Sequence, residues 1–334
     1  MFWCSWQKTS TKSDSRKWSL TTTQELWATK RKKRDKQVMS KFAIESKYNL
    51  AYQIATLVSD SIDLEHGEEE QFKYFWIWRD DFEDKLKATI LEEFPDLKTP
   101  KKETILHTYI YNFYFAYFEH EEYWFFDDYY NWDIEDIVKF FEEKYISKLK
   151  IYNALNKEEI NFINSSHKYF KETNKGKLRD DFKEELNLYF EFLNDKLGDE
   201  ELMNLVGDEV FSILFINKHF LYNYSKKIAN IVLDLKKEKL IEQLVERASY
   251  LPKWLTNAIF YRDRGTCQIC FKDLSNSITL IDMNELHFDH IIPLEKGGTN
   301  DPTNFQLLCN DCNFKKGTKL MKPKRNFTLY WVRD

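Results

Sequence analysis

Four of the chain's five cysteines fall in two pairs of identical spacing, Cys267-x-x-Cys270 and Cys309-x-x-Cys312, and no other feature limits the possible folds as tightly. Two such knuckles present four thiolates in the tetrahedral arrangement that zinc prefers, with sulfur about 2.3 Å from the metal. A structural Zn²⁺ is therefore the expected occupant. Disulfides would require an oxidising compartment, and a thioredoxin-like redox pair would need one motif in a βαβ setting rather than two. Cys4 stands apart near the N-terminus and is read as a plain thiol.

Away from the knuckles the chain divides by charge. Residues 1–47 hold twelve Lys and Arg against four Asp and Glu, residues 251–334 hold twelve against nine, and the total of −5 leaves −16 between them. Basic ends attract a polyanion and an acidic middle repels it. At 334 residues the chain exceeds the usual single core, which predicts a basic arm (1–39), an acidic, aromatic-rich helical domain (40–250) and a C-terminal domain (251–334). The run Lys30 to Arg34 is read as a solvated arm ahead of a nucleic-acid contact. No apolar run approaches the ~20 residues that span a bilayer, and the N-terminal segment lacks the apolar core of a secretion signal. The expectation is a cytoplasmic protein with no membrane partner.

From about Ser40 to Arg247, apolar residues recur at three- and four-residue intervals with few Gly or Pro, which predicts an all-helical domain. Its stretch from Tyr109 to Tyr145 mixes Tyr111, Phe113, Phe115, Phe118, Trp124, Phe125 and Trp132 with acids such as Glu119, Glu121, Glu122, Asp127 and Asp128. A base-stacking platform sits in a positive groove, so core packing or a partner surface is favoured. Histidines 66, 107, 120, 167 and 219 show no ligand spacing and receive no role.

The pattern changes after Leu251-Pro252, where short strands and turns replace long helices. The 38 residues between Cys270 and Cys309 are too many for a minimal zinc ribbon. They contain Leu286-His287-Phe288-Asp289-His290-Ile291-Ile292-Pro293, then Gly297-Gly298-Thr299-Asn300, then Asn304-Phe305-Gln306-Leu307-Leu308 running into Cys309, and Asn313 follows Cys312. From about Lys253 to Lys319 the chain resembles the HNH endonuclease family, whose ββα-metal fold joins an Asp-His strand, a Gly-rich turn, a returning Asn and a final His or Asn on a helix. Asn304 lies fourteen positions after His290 and Asn313 nine positions after Asn304, a spacing similar to that of many stand-alone HNH enzymes and of the HNH domain of RNA-guided nucleases.

The resemblance implies a mainly α protein with a small zinc-stapled ββα-metal nuclease domain at its C-terminus. His290 would be the general base, a role suited to a side chain of unperturbed pKa about 6.5. Asp289 and Asn313 would hold one hard cation, Mg²⁺ with Mn²⁺ as substitute. Asn304 would orient His290, either by fixing the loop or by accepting the ring N–H. The third family position is Asn313 rather than His, an oxygen ligand that favours Mg²⁺ over zinc. His287 shares a strand face with Asp289, opposite His290, and is read as a packed residue.

Arg262, Arg264, Lys315, Lys316 and Lys319, with Lys322, Lys324 and Arg325 beyond them, are the candidate phosphate contacts, Lys316 foremost. Arg262 could equally pair with Asp263. The expected activity is metal-dependent cleavage of nucleic acid, double-stranded DNA favoured. The helical domain would gate it by binding a protein partner or by self-association, in a phage-defence or restriction setting. The alternative is a zinc-dependent nucleic-acid-binding or interaction protein that does not cut.

Overall fold

The computed structural model of the protein describes residues 50–63, 76–93, 97–115, 132–173, 182–275 and 286–322. The run Lys30 to Arg34, Cys4, His66, Phe118, His120, Trp124, Phe125, Lys324 and Arg325 lie outside the described residues.

The N-terminal part is helical. Its described elements are α1 (Leu50–Asp63), α2 (Trp76–Glu93), α3 (residues 105–115), α4 (Ile134–Phe141), α5 (Lys157–Thr173), α6 (Lys183–Leu197), α7 (Glu200–Phe215) and α8 (Lys218–Lys237). Helix α4 runs on through a π turn, Glu142–Ile146, into Ser147–Ile151. The helix starts have local causes. Asn156 and Glu159 form a reciprocal capping box, each side chain accepting from the other's backbone N–H at 2.9 and 2.8 Å. The Asp199 carboxylate accepts from Glu201 and Leu202 N–H ahead of α7, and the Asn217 side chain accepts from Phe220 N–H ahead of α8.

Helix α8 shows how periodicity becomes packing. Phe220, Leu221, Tyr224, Ile228, Ile231, Val232 and Leu235 recur at three- and four-residue spacing and are all buried. Each such side chain contributes roughly 1.5–3 kcal/mol on leaving water. Helix α8 packs on α1, α2 and α7 and also on the short 3₁₀ turn Pro302–Asn304. A second layer is aromatic, with Phe141 edge-on to Tyr189 at 5.2 Å and Tyr145 edge-on to Phe190 at 5.5 Å. In the stretch from Tyr109, the residues Tyr109, Phe113 and Tyr114 are core, and the Tyr114 hydroxyl donates to Leu197 C=O.

Beyond α8 follow α9 (Lys253–Arg262), strand β1 (Leu286–His290), strand β2 (Phe305–Cys309) and helix α10 (Asn310–Lys316). The strands pair antiparallel, Leu286 opposite Cys309 and His290 opposite Phe305, and α10 starts where β2 ends. The molecule is thus mainly helical, with a C-terminal hairpin and helix that match a ββα module. Leu255, Ile259, Leu274, Phe305, Leu307 and Leu308 form a small core under the hairpin, with Cys267, Cys309 and Cys312 at its edge. Ile291 and Ile292, just past β1, are buried instead in the large helical core.

Among the described residues, no helix is long and apolar enough to cross a membrane.

Candidate active site and metal centre

The two knuckles meet. Cys267 and Cys270 lie on a tight turn closed by Phe271 N–H to Cys267 C=O and Cys267 N–H to Lys272 C=O, with Phe271 at φ +64°. Cys309 ends β2 and Cys312 lies in the first turn of α10. All four Sγ atoms fall within 4.8 Å of one another, and Cys270 and Cys309 are 3.7 Å apart. A tetrahedron with bonds of about 2.3 Å has edges of ~3.8 Å, so the cluster fits a zinc ion. Burial pushes the Cys309 and Cys312 thiols up from their ordinary range, so their thiolates are costly without a cation to neutralise them.

Arg262 and Asp263 brace this end. The Arg262 guanidinium donates to Asp263 through Nε at 2.8 Å and Nη2 at 3.0 Å, Nη2 also reaches Phe305 C=O, and the group lies over the Phe215 ring. Asp263 Oδ2 in turn accepts from Leu307 N–H at 2.8 Å, fastening the end of α9 to β2. With its side chain only 2 % exposed, Arg262 is not placed to meet a phosphate, and its pairing with Asp263 is what the structure shows.

Asp289 and Gln306 face each other across the hairpin, and the Gln306 amide approaches Asp289 Oδ2 at 3.4 Å. Lys316 holds that same oxygen at 2.8 Å and also donates to His290 C=O at 2.8 Å. Lys316 is 1 % exposed, so the foremost candidate for a phosphate contact turns out to be an internal cation that pins α10 to β1. Asn313 is half-buried one helical turn before Lys316, on the same side of α10. Among the described residues no bond reaches Asp289 Oδ1. Arg264, Lys315 and Lys319 are exposed and can meet a polyanion. Nε2 of His287 is buried with no partner among the described residues.

His290 points to the other face of β1, where its ring packs 4.5 Å from the Phe305 ring. Burial, chiefly, drives its pKa down to about 4, so it is neutral at physiological pH. The Asn304 side chain makes no hydrogen bond to the ring. Its Oδ1 accepts from Ile292 N–H at 2.8 Å and its Nδ2 donates to Ile292 and Thr299 C=O at 3.0 and 2.9 Å, closing the loop from residue 291 to 304. Asn304 therefore fixes the loop and does not accept the ring N–H. The ring instead bonds Asn300 Oδ1 at 3.0 Å through Nε2, a partner that sequence reasoning missed because Asn300 read as part of a Gly-rich turn.

The loop is embedded in helices. Gly297 has φ +83°, and a Cβ there would lie 2.4 Å from Ala229 C=O on α8. A Cβ on Gly298 would lie 2.0 Å from Ile292 C=O. Asp301 Oδ2 accepts from Ile105 N–H, capping α3 across the fold.

A family model for the HNH endonuclease matches residues 267–319, a narrower span than the sequence resemblance and one that leaves out Arg262 and Arg264. No curated protein and no solved structure matches the chain. The matched span contains the hairpin, the helix and the four-cysteine cluster, and residues 267–319 are an HNH endonuclease domain, of a phosphodiester hydrolase family, carried by a chain whose N-terminal region is unassigned.

Proposed function

We propose that the chain hydrolyses phosphodiesters in nucleic acid, double-stranded DNA by preference, using His290 as general base. The observation that supports this most is the arrangement at the end of β1. Asp289 keeps one carboxylate oxygen clear of any described partner on the side of β1 where Lys316 of α10 packs, and His290, next in the strand and turned to its other face, is a neutral imidazole. Asp289 and Asn313 would hold Mg²⁺ or Mn²⁺ through oxygen. When bound, such a cation offsets the charge that develops on the phosphate and the leaving oxygen. Lys316 sets the reach of the site by holding Asp289 Oδ2, while Arg264, Lys315 and Lys319 draw the backbone in without reading its sequence.

The helical region would gate this activity in response to a protein partner or to self-association, as a restriction or phage-defence effector. The docking of the loop from residue 291 to 304 against α8 supports such control, because a shift of α8 would be felt at His290.

The test is supercoiled plasmid incubated with the full chain in Mg²⁺, Mn²⁺ or EDTA, beside His290→Ala shown to keep its zinc. Cleavage in divalent metal that falls by about 10²–10⁴ in the variant and stops in EDTA is the expected result. Equal cleavage by the variant would overturn the assignment of His290. A second reading, a zinc-dependent binding module that does not cut, draws on the Lys316 ammonium, which already supplies a positive charge at Asp289. That reading requires retention of plasmid in a gel shift with no cleavage in any metal.

A further inference from the structure

Asn300 occupies a position in the fold that gives its amide a single workable orientation. Its Nδ2 faces three backbone carbonyls, those of Glu246 at 2.7 Å, Lys98 at 3.1 Å and Leu97 at 3.3 Å. Its Oδ1 faces the Ala248 N–H at 3.3 Å. Carbonyl oxygens cannot donate and a backbone N–H cannot accept, so turning the amide over would set its oxygen against three oxygens and its NH₂ against a donor. All of these partners belong to the helical region and the connector that leaves it, outside residues 267–319. Asn300 itself is 1 % exposed, so no solvent is at hand to substitute for a lost partner.

One lone pair of Oδ1 remains, and His290 Nε2 meets it at 3.0 Å. An amide oxygen only accepts, so a neutral His290 must carry its proton on Nε2, which leaves the lone pair on Nδ1. Among the described residues nothing hydrogen-bonds Nδ1. The ring itself cannot turn over cheaply, being buried and packed on Phe305.

We propose that Asn300 is a positioning residue that sets the tautomer of His290, with its own orientation dictated by the carbonyls of Leu97, Lys98 and Glu246, so that the helical region decides which imidazole nitrogen can take a proton from water. Asn304 and Asn300 then divide the work. Asn304 shapes the loop through partners within the domain, and Asn300 fixes the ring through partners outside it. The hairpin supplies the site's residues, but the atom that acts as base is selected by backbone carbonyls outside the domain, those of Leu97 and Lys98 about two hundred positions earlier and that of Glu246 in the connector. The inference rests on His290 being the base, while the clamp itself is a matter of hydrogen bonding and is measurable without any turnover.

The experiment is ¹⁵N-histidine NMR of the full, zinc-loaded chain above pH 7, with the His290 signals assigned by their loss in His290→Ala. The expected result is a single Nε2–H tautomer in the wild type, giving way in Asn300→Ala to a mixture. Plasmid cleavage by Asn300→Ala should show kcat lower by about 10–100-fold with KM unchanged, the size of effect seen when a ligand or base loses its orienting partner. Asn300→Asp keeps an acceptor for the ring but sets a carboxylate against three carbonyls, and it should lose kcat as well. A wild-type His290 found as the Nδ1–H tautomer, or as a mixture, overturns the proposal even if the variants fail to fold. So does an Asn300→Ala protein that keeps the tautomer and the kcat. A chain that cuts nothing yet shows the Nε2–H tautomer keeps the clamp and removes the role of His290 as base, so the two failures are distinct.

Discussion

The two ends of the HNH domain are held by different means. At the knuckle end, Cys267, Cys270, Cys309 and Cys312 converge over a small core of Leu255, Ile259, Phe305 and Leu307, and nearly every partner lies within the last eighty residues. At the other end, the loop from Ile291 to Asn304 has Ile291 and Ile292 in the helical core and Asn300 on the carbonyls of Leu97, Lys98 and Glu246. One end is closed by four cysteines that fit a zinc ion and the other by borrowed backbone. A small module that cannot bury a loop against itself can bury it against a neighbour, and it then inherits that neighbour's motions.

Zinc removal breaks the comparison most severely. Structural zinc contributes on the order of 10 kcal/mol to folds of this size, so chelation or Cys312→Ser should unfold the hairpin and α10. The large core of α1, α7 and α8 contains none of the four ligands and should survive. Hydrogen exchange checks this. Protection should vanish from β1 and β2 and persist in α8, and equal loss in both would show that the knuckle end supports the whole molecule.

Gly297→Ala strikes the opposite end. The added Cβ meets Ala229 C=O on α8 and the backbone sits at φ +83°, so neither the neighbour nor the loop can yield easily. A loss of about 3 kcal/mol in urea unfolding is expected, with zinc content unchanged. Zinc loss in this variant would mean that the two ends are one cooperative piece.

What the sequence disclosed follows the same division. The cysteines were legible because four ligands at fixed short spacing need no knowledge of the rest of the chain, and the strand, turn and helix between and after them follow from the same local signals. The helical character of the first part was legible from periodicity, as α8 shows. Lys316 was misjudged, and Arg262 left open between a phosphate and Asp263, because charge is visible in a sequence and burial is not. Each is an internal cation that neutralises the aspartate it touches, Asp263 and Asp289. Asn300 was invisible for a deeper reason. Its partners are about two hundred and about fifty residues away and are backbone atoms, which leave no trace in residue type.

Acid offers a gentler probe of the catalytic end. In the unfolded chain His290 takes up a proton near pH 6.5, whereas in the fold burial holds it neutral down to about pH 4. Between these values the unfolded state binds more protons, so the contribution of His290 is complete above pH 6.5 and is lost as the pH falls toward 4. The wild type should lose up to roughly 3 kcal/mol more than His290→Ala over that window, on the scale of 1.36 kcal/mol per pH unit. Parallel stability curves for the two proteins would show that His290 is solvated rather than clamped.

The smallest expected effect comes from a residue that belongs to neither anchor. Lys315 precedes the buried Lys316 on α10 but is exposed. Removing Lys316 would strand the Asp289 carboxylate, whereas Lys315→Ala should leave urea stability within about 0.5 kcal/mol of the wild type. Its effect should appear only in binding, as a weakening of DNA affinity that is uniform across sequences and a salt dependence shallower by about one ion. Titration of labelled DNA at several salt concentrations gives both numbers. If the slope does not change, the polyanion does not run along the exposed side of α10, and Arg264 beside the knuckle becomes the contact to remove next.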